Sequence, residues 1–496
     1  MARTPRKPVA AAPPPPEPAP STAYARAGIS SLPRRSAGLK LLLVCGLALL
    51  MSIAALFVFA LLMERSNRAE RVADEVGGLM GGPQTFLGPV IAVPYTRNLV
   101  EAAPVGAGAP AGATRTSVDA GVWHIFPARG RVEAETVSEV RSRSLFKVPV
   151  YTADLTWSAS FDLANAGAEA PRGAVLDWSR AEIVLGASDA RGAKSDIGLT
   201  LGGRTVALTP STVEPTVSLG GPNVRGEYDA AARGGGDLRL FGTRLPEALR
   251  AGGTFDVSGR AAFTGAQRIA VLAFAGTTTA VIRGDWPHPS YNGGFLPARQ
   301  DAAEGFDAAW TVPFVARGVP VEGDRDTLGR LGATSLGVTF VEPANPYQSV
   351  SRSLKYAPLF IGLVFLTYFL FETTTGRRVH PAQYILVGSV QVIFYMLLLS
   401  IAEHTGFDIA FALAAAATVG LISAYAGWAF ESRKQGLRAL VAFTFLYGLI
   451  YVLMRLEDYA MLVGAFSAFA ALAAVMYFTR KVDWYGLAGN DTRDIA

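Results

Sequence analysis

Apolar positions along this chain follow two different patterns. Leu41–Met63 is 23 residues long and carries no charge. As a helix that run rises about 35 Å, enough to cross a bilayer core of about 30 Å. About 290 mostly polar residues follow, and then five apolar runs crowd into residues 355–480. The pattern predicts a membrane protein of α + β class. A transmembrane helix occupies 39–63, a water-facing domain 64–354, and a five-helix transmembrane bundle 355–480. The five predicted spans are 355–371, 383–402, 409–430, 439–454 and 459–479, which makes six transmembrane helices in total.

Within the water-facing segment the period changes. Glu64–Val76 continues the first helix into water until Gly77-Gly78 and Gly81-Gly82-Pro83 stop it. Short runs rich in β-branched and aromatic residues come next: Pro89–Tyr95, Leu145–Phe161, Thr254–Gly259, Thr277–Arg283 and Leu336–Glu342. Turn formers such as Gly202-Gly203 and Gly234-Gly235-Gly236 separate them. Many short strands with turns between them predict a mainly-β, sandwich-like domain. Val105–Thr114 is a low-complexity loop that does not complete a dinucleotide fingerprint.

Composition agrees: 50% of residues are hydrophobic and only 17% are charged. The net charge of +5 brings no nucleic-acid partner with it, because the basic residues cluster beside the apolar runs and no recognition motif accompanies them. Arg3, Arg6, Lys7, Arg26, Arg34, Arg35 and Lys40 precede or open the first helix, opposed only by Glu17. Arg377 and Arg378, then Arg433, Lys434 and Arg438, then Arg480 and Lys481 all fall on that same side if the chain crosses six times. By the positive-inside rule both termini are cytoplasmic and the large domain lies on the opposite side of the membrane. The first run is too long for a cleaved signal peptide, and Glu64-Arg65 follows it in place of a small-residue cleavage site, so it reads as a retained anchor. Residues 1–38 form a Pro-rich, disordered tail, and 481–496 a cytoplasmic C-terminal tail. The single cysteine, Cys45, excludes an intrachain disulfide.

Catalytic signatures are missing: there is no G-x-S-x-G, P-loop, H-E-x-x-H or C-x-x-C. His124, His288, His380 and His404 are scattered, whereas a zinc site needs three or four converging ligands. The expectation is a non-enzyme with no metal and no cofactor. The densest motif is Gly284–Pro297. Read as a recognition loop, it offers Trp286 and Tyr291 for stacking and Asp285, His288 and Asn292 for hydrogen bonds. Read structurally, its two X-Pro steps and glycine pair make a stiff connection after a strand, and this reading leads. A second candidate is a charge cluster at the outer mouth of the bundle: Glu403, His404 and Asp408 from one loop, Arg455, Glu457 and Asp458 from another. Arg455 is placed to pair with an acid from either loop, but the plainer reading of two solvated loops leads. Ionisable residues of the bundle, Glu372 among them, fall at helix ends, which weighs against an ion-coupled carrier.

A set of motifs carries a family resemblance: Gly82–Tyr95, Val148–Leu155, Asp285–Pro297 and Val341–Tyr347 in the outer domain. Lys355–Leu363, His380–Gly388, Ser400–Phe407, Glu457–Ala460 and Thr479–Tyr485 continue it in the bundle. In this order they resemble the CreD family of bacterial inner-membrane, cell envelope integrity proteins, from about Glu64 to Tyr485. The resemblance implies a role in envelope stress, including responses to β-lactams and colicins under the CreBC two-component system, and no catalytic residues. The resulting expectation is a non-enzymatic protein that presents its β domain to an envelope protein or wall component. The alternative is a transporter or flippase-like carrier working through the bundle. The lipid bilayer is expected as a partner in either case.

Overall fold

A computed structural model describes residues 37–102, 114–220, 236–250, 252–298, 304–342, 346–375, 379–455 and 460–480. The Pro-rich tail, most of the Val105–Thr114 loop, Gly234-Gly235, Arg377, Arg378, Glu457, Asp458 and the C-terminal tail lie outside these. The chain divides into a helical unit (1–58, 352–397 and 411–496) and a sheet unit (59–351 and 398–410).

The helical elements follow the apolar runs. Helix α1 spans Ala37–Leu79, 43 residues without a break. Only about 20 of these are needed to cross a bilayer, and the polar part from Glu64 belongs to the sheet unit. Gly81 (φ 90°) and Gly82 (φ 61°) then turn the chain, with the Gly82 amide donating to the Gly77 carbonyl at 2.7 Å. In the bundle, α2 (Pro346–Lys355) and α3 (Ala357–Thr375) meet at a 53° bend. Pro358 accounts for the break: it lacks an amide hydrogen and its ring clashes with a carbonyl one turn earlier, so it fits the first turn of a new helix. Next come α4 (Pro381–Thr405), α5 (Phe407–Ala429), α6 (Arg433–Arg455) and α7 (Ala460–Thr479). Among the described residues, α1, α4, α5 and α6 are each long and apolar enough to cross a membrane, and the bent α2–α3 pair makes a fifth. Within α7 the apolar stretch Leu462–Ala474 is shorter.

The sheet unit is a sandwich of two mixed sheets. One has seven strands, in spatial order Phe306–Val312, Thr277–Gly284, Arg129–Arg143, Phe146–Asp162, Thr254–Ala266, Gly198–Leu201 and Arg204–Ala207. The other has eleven, with Gln84–Ala102 at its centre between Glu182–Ala187 and Arg268–Leu272. Most pairings are antiparallel. Gln84–Phe86 with Ile269–Val271, and Thr277–Gly284 with Arg129–Thr136, are parallel. Strand Gln84–Ala102 runs through both Pro89 and Pro94, well beyond the expected run Pro89–Tyr95. It accommodates Pro89 at a register shift between Leu87 and Val90.

Alternate residues of both sheets point into one core. Phe86 of the larger sheet meets Phe263 and Trp157 of the smaller one edge-on, at 5.0 and 6.4 Å between ring centres. Tyr151 and Phe306 likewise reach Phe340. Burying each such ring contributes roughly 1.5–3 kcal/mol, so a domain without a disulfide is held by this core.

Candidate functional site

The motif Gly284–Pro297 leaves the strand Thr277–Gly284 and forms its own strand, Pro289–Gly293, against Ser335–Phe340. Asp285 Oδ1 accepts hydrogen bonds from the amide and hydroxyl of Ser138, at 2.9 and 2.6 Å. Trp286 is buried; its indole Nε1 donates to the Val341 carbonyl at 3.0 Å and its ring lies edge-on to Phe340. Tyr291 packs on the core beside Trp310. Asn292 accepts from Arg268 Nε at 2.8 Å and donates to Thr339 Oγ1 at 2.5 Å. His288 is exposed, and its carbonyl accepts from the Val341 amide. Four of the five fasten this edge of the sheet through their side chains, and His288 through its backbone alone. Arg268 is buried there, with its pKa held below the ordinary value by desolvation, and its guanidinium donates to Asn292, Ser335 and Thr85 oxygens.

The expected mouth cluster is assembled differently. Glu403 and His404 end α4, a turn of one residue at Gly406 (φ 82°) follows, and Asp408 stands in the first turn of α5. There a carboxylate is favoured by the helix dipole. Arg455 closes α6 with its guanidinium over the Tyr451 ring at 5.8 Å. The partners that reach Glu403 are Tyr347, donating to Oε1 at 3.1 Å, and Arg65 of α1, 3.9 Å from Oε2. Glu403, His404 and Tyr347 border a cleft of about 430 Å³ that also takes in Lys147 and Glu342. Glu457 and Asp458 fall outside the described residues.

Three further polar assemblies carry no sequence motif. In the sheet unit, His124 Nε2 lies 2.6 Å from Glu214 Oε2, although the ring is not aligned for a linear hydrogen bond. Arg325 Nε reaches the other oxygen of Glu214 at 3.1 Å. Beside them the buried Glu182 accepts from the hydroxyls of Ser211 and Thr212. In the helical unit Glu372, which the sequence placed harmlessly at a helix end, is buried. It pairs with Lys40 of α1 and accepts from the Val379 amide and the Tyr384 hydroxyl, each at 2.8 Å. A carboxylate so satisfied acts as a clamp between helices.

The third assembly is a trough of about 540 Å³ on the solvent face of the seven-stranded sheet. Two rows cross the strands: Thr277–Arg129–Ser160–Asp256, then Thr279–Arg131–Ser158–Ser258–Thr200. Strand alternation sends these residues outward together, a regularity visible in the sequence only once the register between strands is known.

An anchor helix, a large sheet sandwich and a bundle of apolar helices define an integral membrane protein. The family model described as Inner membrane protein CreD matches residues 36–485. Inner membrane protein CreD of Escherichia coli (strain K12) is 30% identical over 449 residues, covering 89% of this chain and 92% of that protein. The chain belongs to the CreD family of inner membrane proteins.

Proposed function

We propose that this protein supports the integrity of the cell envelope under stress, without catalysis, by presenting its sheet domain on the periplasmic side to an envelope protein or wall component. The observation that carries this reading is the trough. With strands about 4.8 Å apart, a row crossing five of them extends about 19 Å. Short hydroxyl side chains, two arginines and one aspartate make it polar and hollow, suited to an extended polar partner rather than to a small apolar ligand. Family membership supports the setting, and the basic residues flanking the helices support the orientation.

Deletion of the gene tests the role when envelope permeability is measured beside solute uptake. Permeability to antibiotics should rise and uptake should stay unchanged. The wild-type chain should restore the barrier, and a chain with Ser158→Glu and Ser258→Glu, which fill the trough with charge from outward positions, should not. Loss of uptake with an intact barrier would instead favour the carrier.

A further inference from the structure

The cleft at Glu403 lies at a depth that the helices themselves set. Helix α4 ends at Thr405 and α5 begins at Phe407, and both are apolar enough to cross a membrane. A hairpin of two spans joined at one residue must turn at the bilayer surface. Glu403 and His404 are within about one turn, 5.4 Å, of that tip, so they stand at the level of the lipid headgroups.

The cleft carries both signs of charge. Glu403 is held inside, with its side chain only 8% exposed. It takes one hydrogen bond from Tyr347 and a more distant contact from Arg65. A carboxylate offers about four acceptor sites, so Glu403 retains capacity for further donors. Glu342 adds a second carboxylate, and the exposed Lys147 lines the same cleft beside Phe146. Anionic headgroups meet two acids here. Neutral polar headgroups leave Lys147 and the acids without a counterpart. A headgroup with a phosphate and a primary ammonium satisfies both, and its three N–H donors match carboxylate oxygens as a trimethylated amine cannot. We infer that this cleft is a binding site for the headgroup of a zwitterionic, ethanolamine-type phospholipid, with the ammonium on Glu403 and Glu342 and the phosphate on Lys147. This inference stands apart from the trough and its partner.

The test is thermal melting of the full chain in detergent, titrated with short-chain phosphatidylethanolamine, phosphatidylcholine and phosphatidylglycerol and with free phosphoethanolamine. Ligand that binds the folded state raises the melting temperature in proportion to its affinity. Phosphatidylethanolamine should act at lower concentration than the other three. Glu403→Gln and Glu342→Gln should each reduce that preference, and Lys147→Gln should weaken the lipid by roughly tenfold, as expected for one charge-assisted contact. Because Glu403→Gln also touches Tyr347, the Glu342 and Lys147 variants keep the test independent of folding. Equal responses to the three lipids overturn the inference, as does an ethanolamine preference that survives all three substitutions. Free phosphoethanolamine acting as well as the lipid would make the occupant a soluble phospho-amine and overturn the lipid assignment.

Discussion

His124 has no exposed side chain, and Glu214 beside it is 6% exposed, whereas Arg325 on the same carboxylate is 58% exposed. The magnitudes separate these partners. Truncating the fully buried His124 leaves a cavity and takes one neighbour from the buried Glu214 carboxylate, a loss of roughly 3–5 kcal/mol, while an exposed pair contributes about 0–1 kcal/mol. His124→Ala is therefore expected to lower the stability of the sheet domain by about 3 kcal/mol or more and Arg325→Ala by no more than about 1 kcal/mol, read from denaturant titrations of the full chain. Equal losses would mean that the pair is not what holds this segment. None of this was legible at the residue scale, where His124 stood as one of four scattered histidines. Its strand is covered on both faces, so Trp123, His124 and Ile125 are all buried and the alternation that marks a surface strand is absent. Glu403 and His404 did stand out in the sequence. The partners of Glu403, Tyr347 and Arg65, did not, because a contact across 56 or more positions is set by tertiary packing. The motif around Trp286 was legible as a stiff connection, since X-Pro steps and paired glycines restrict the backbone before any packing is known.

Among the elements, the transmembrane helices were the most legible, because length without charge is almost a sufficient signal in a bilayer. The bend before α3 was missed, although Pro358 advertises it. The apolar α3 covers nearly all of the expected span at 355–371, and the polar α2 that precedes it was not foreseen. Strands were recognised where β-branched runs were dense, and strand order was not, since parallel pairings such as that of Gln84–Phe86 with Ile269–Val271 join segments far apart in sequence. One junction between the two sheets rests on Phe274, which has no exposed surface. A Cβ on Gly88 of the larger sheet or Gly130 of the smaller would fall 2.5 Å from its ring. The ring therefore fills a slot that only glycine leaves open. Gly88→Ala and Gly130→Ala should each destabilise by about 1–3 kcal/mol through overpacking, and Phe274→Ala by about 3–5 kcal/mol through the cavity. The decisive measurement is the combination: Phe274→Leu with Gly130→Ala should cost less than the sum of the two single changes, because the smaller side chain makes room for the added methyl. Strict additivity would show that the glycine serves its own backbone instead.

For the whole molecule the question is which side of the membrane each part occupies. Lys40, near the start of α1, is bound to Glu372, near the end of α3. If α1 and the α2–α3 pair each cross once, these two ends share a side, and everything from Glu64 to α3 begins on the other. The charges flanking the helices support the proposed direction. Arg34, Arg35 and Lys40 precede or open α1, and Arg433, Lys434 and Arg438 lead into α6. By contrast, the turn from α4 to α5 holds Glu403, His404 and Asp408 and no Lys or Arg. Since Lys and Arg in short loops are retained in the cytoplasm, reporter fusions at Arg35 and Arg433 should report the cytoplasm and one at Gly220 the periplasm. The same charges make the orientation breakable. Replacing Arg34, Arg35 and Lys40 together by Gln should let a fraction of chains insert with Gly220 inside, and would also strand the buried Glu372 of those that insert correctly. Returning only Lys40 should restore the Glu372 pair, and with it thermal stability, while leaving much of the orientation defect. If stability and orientation recover together with Lys40 alone, the clamp itself sets the topology, and the flanking arginines are bystanders.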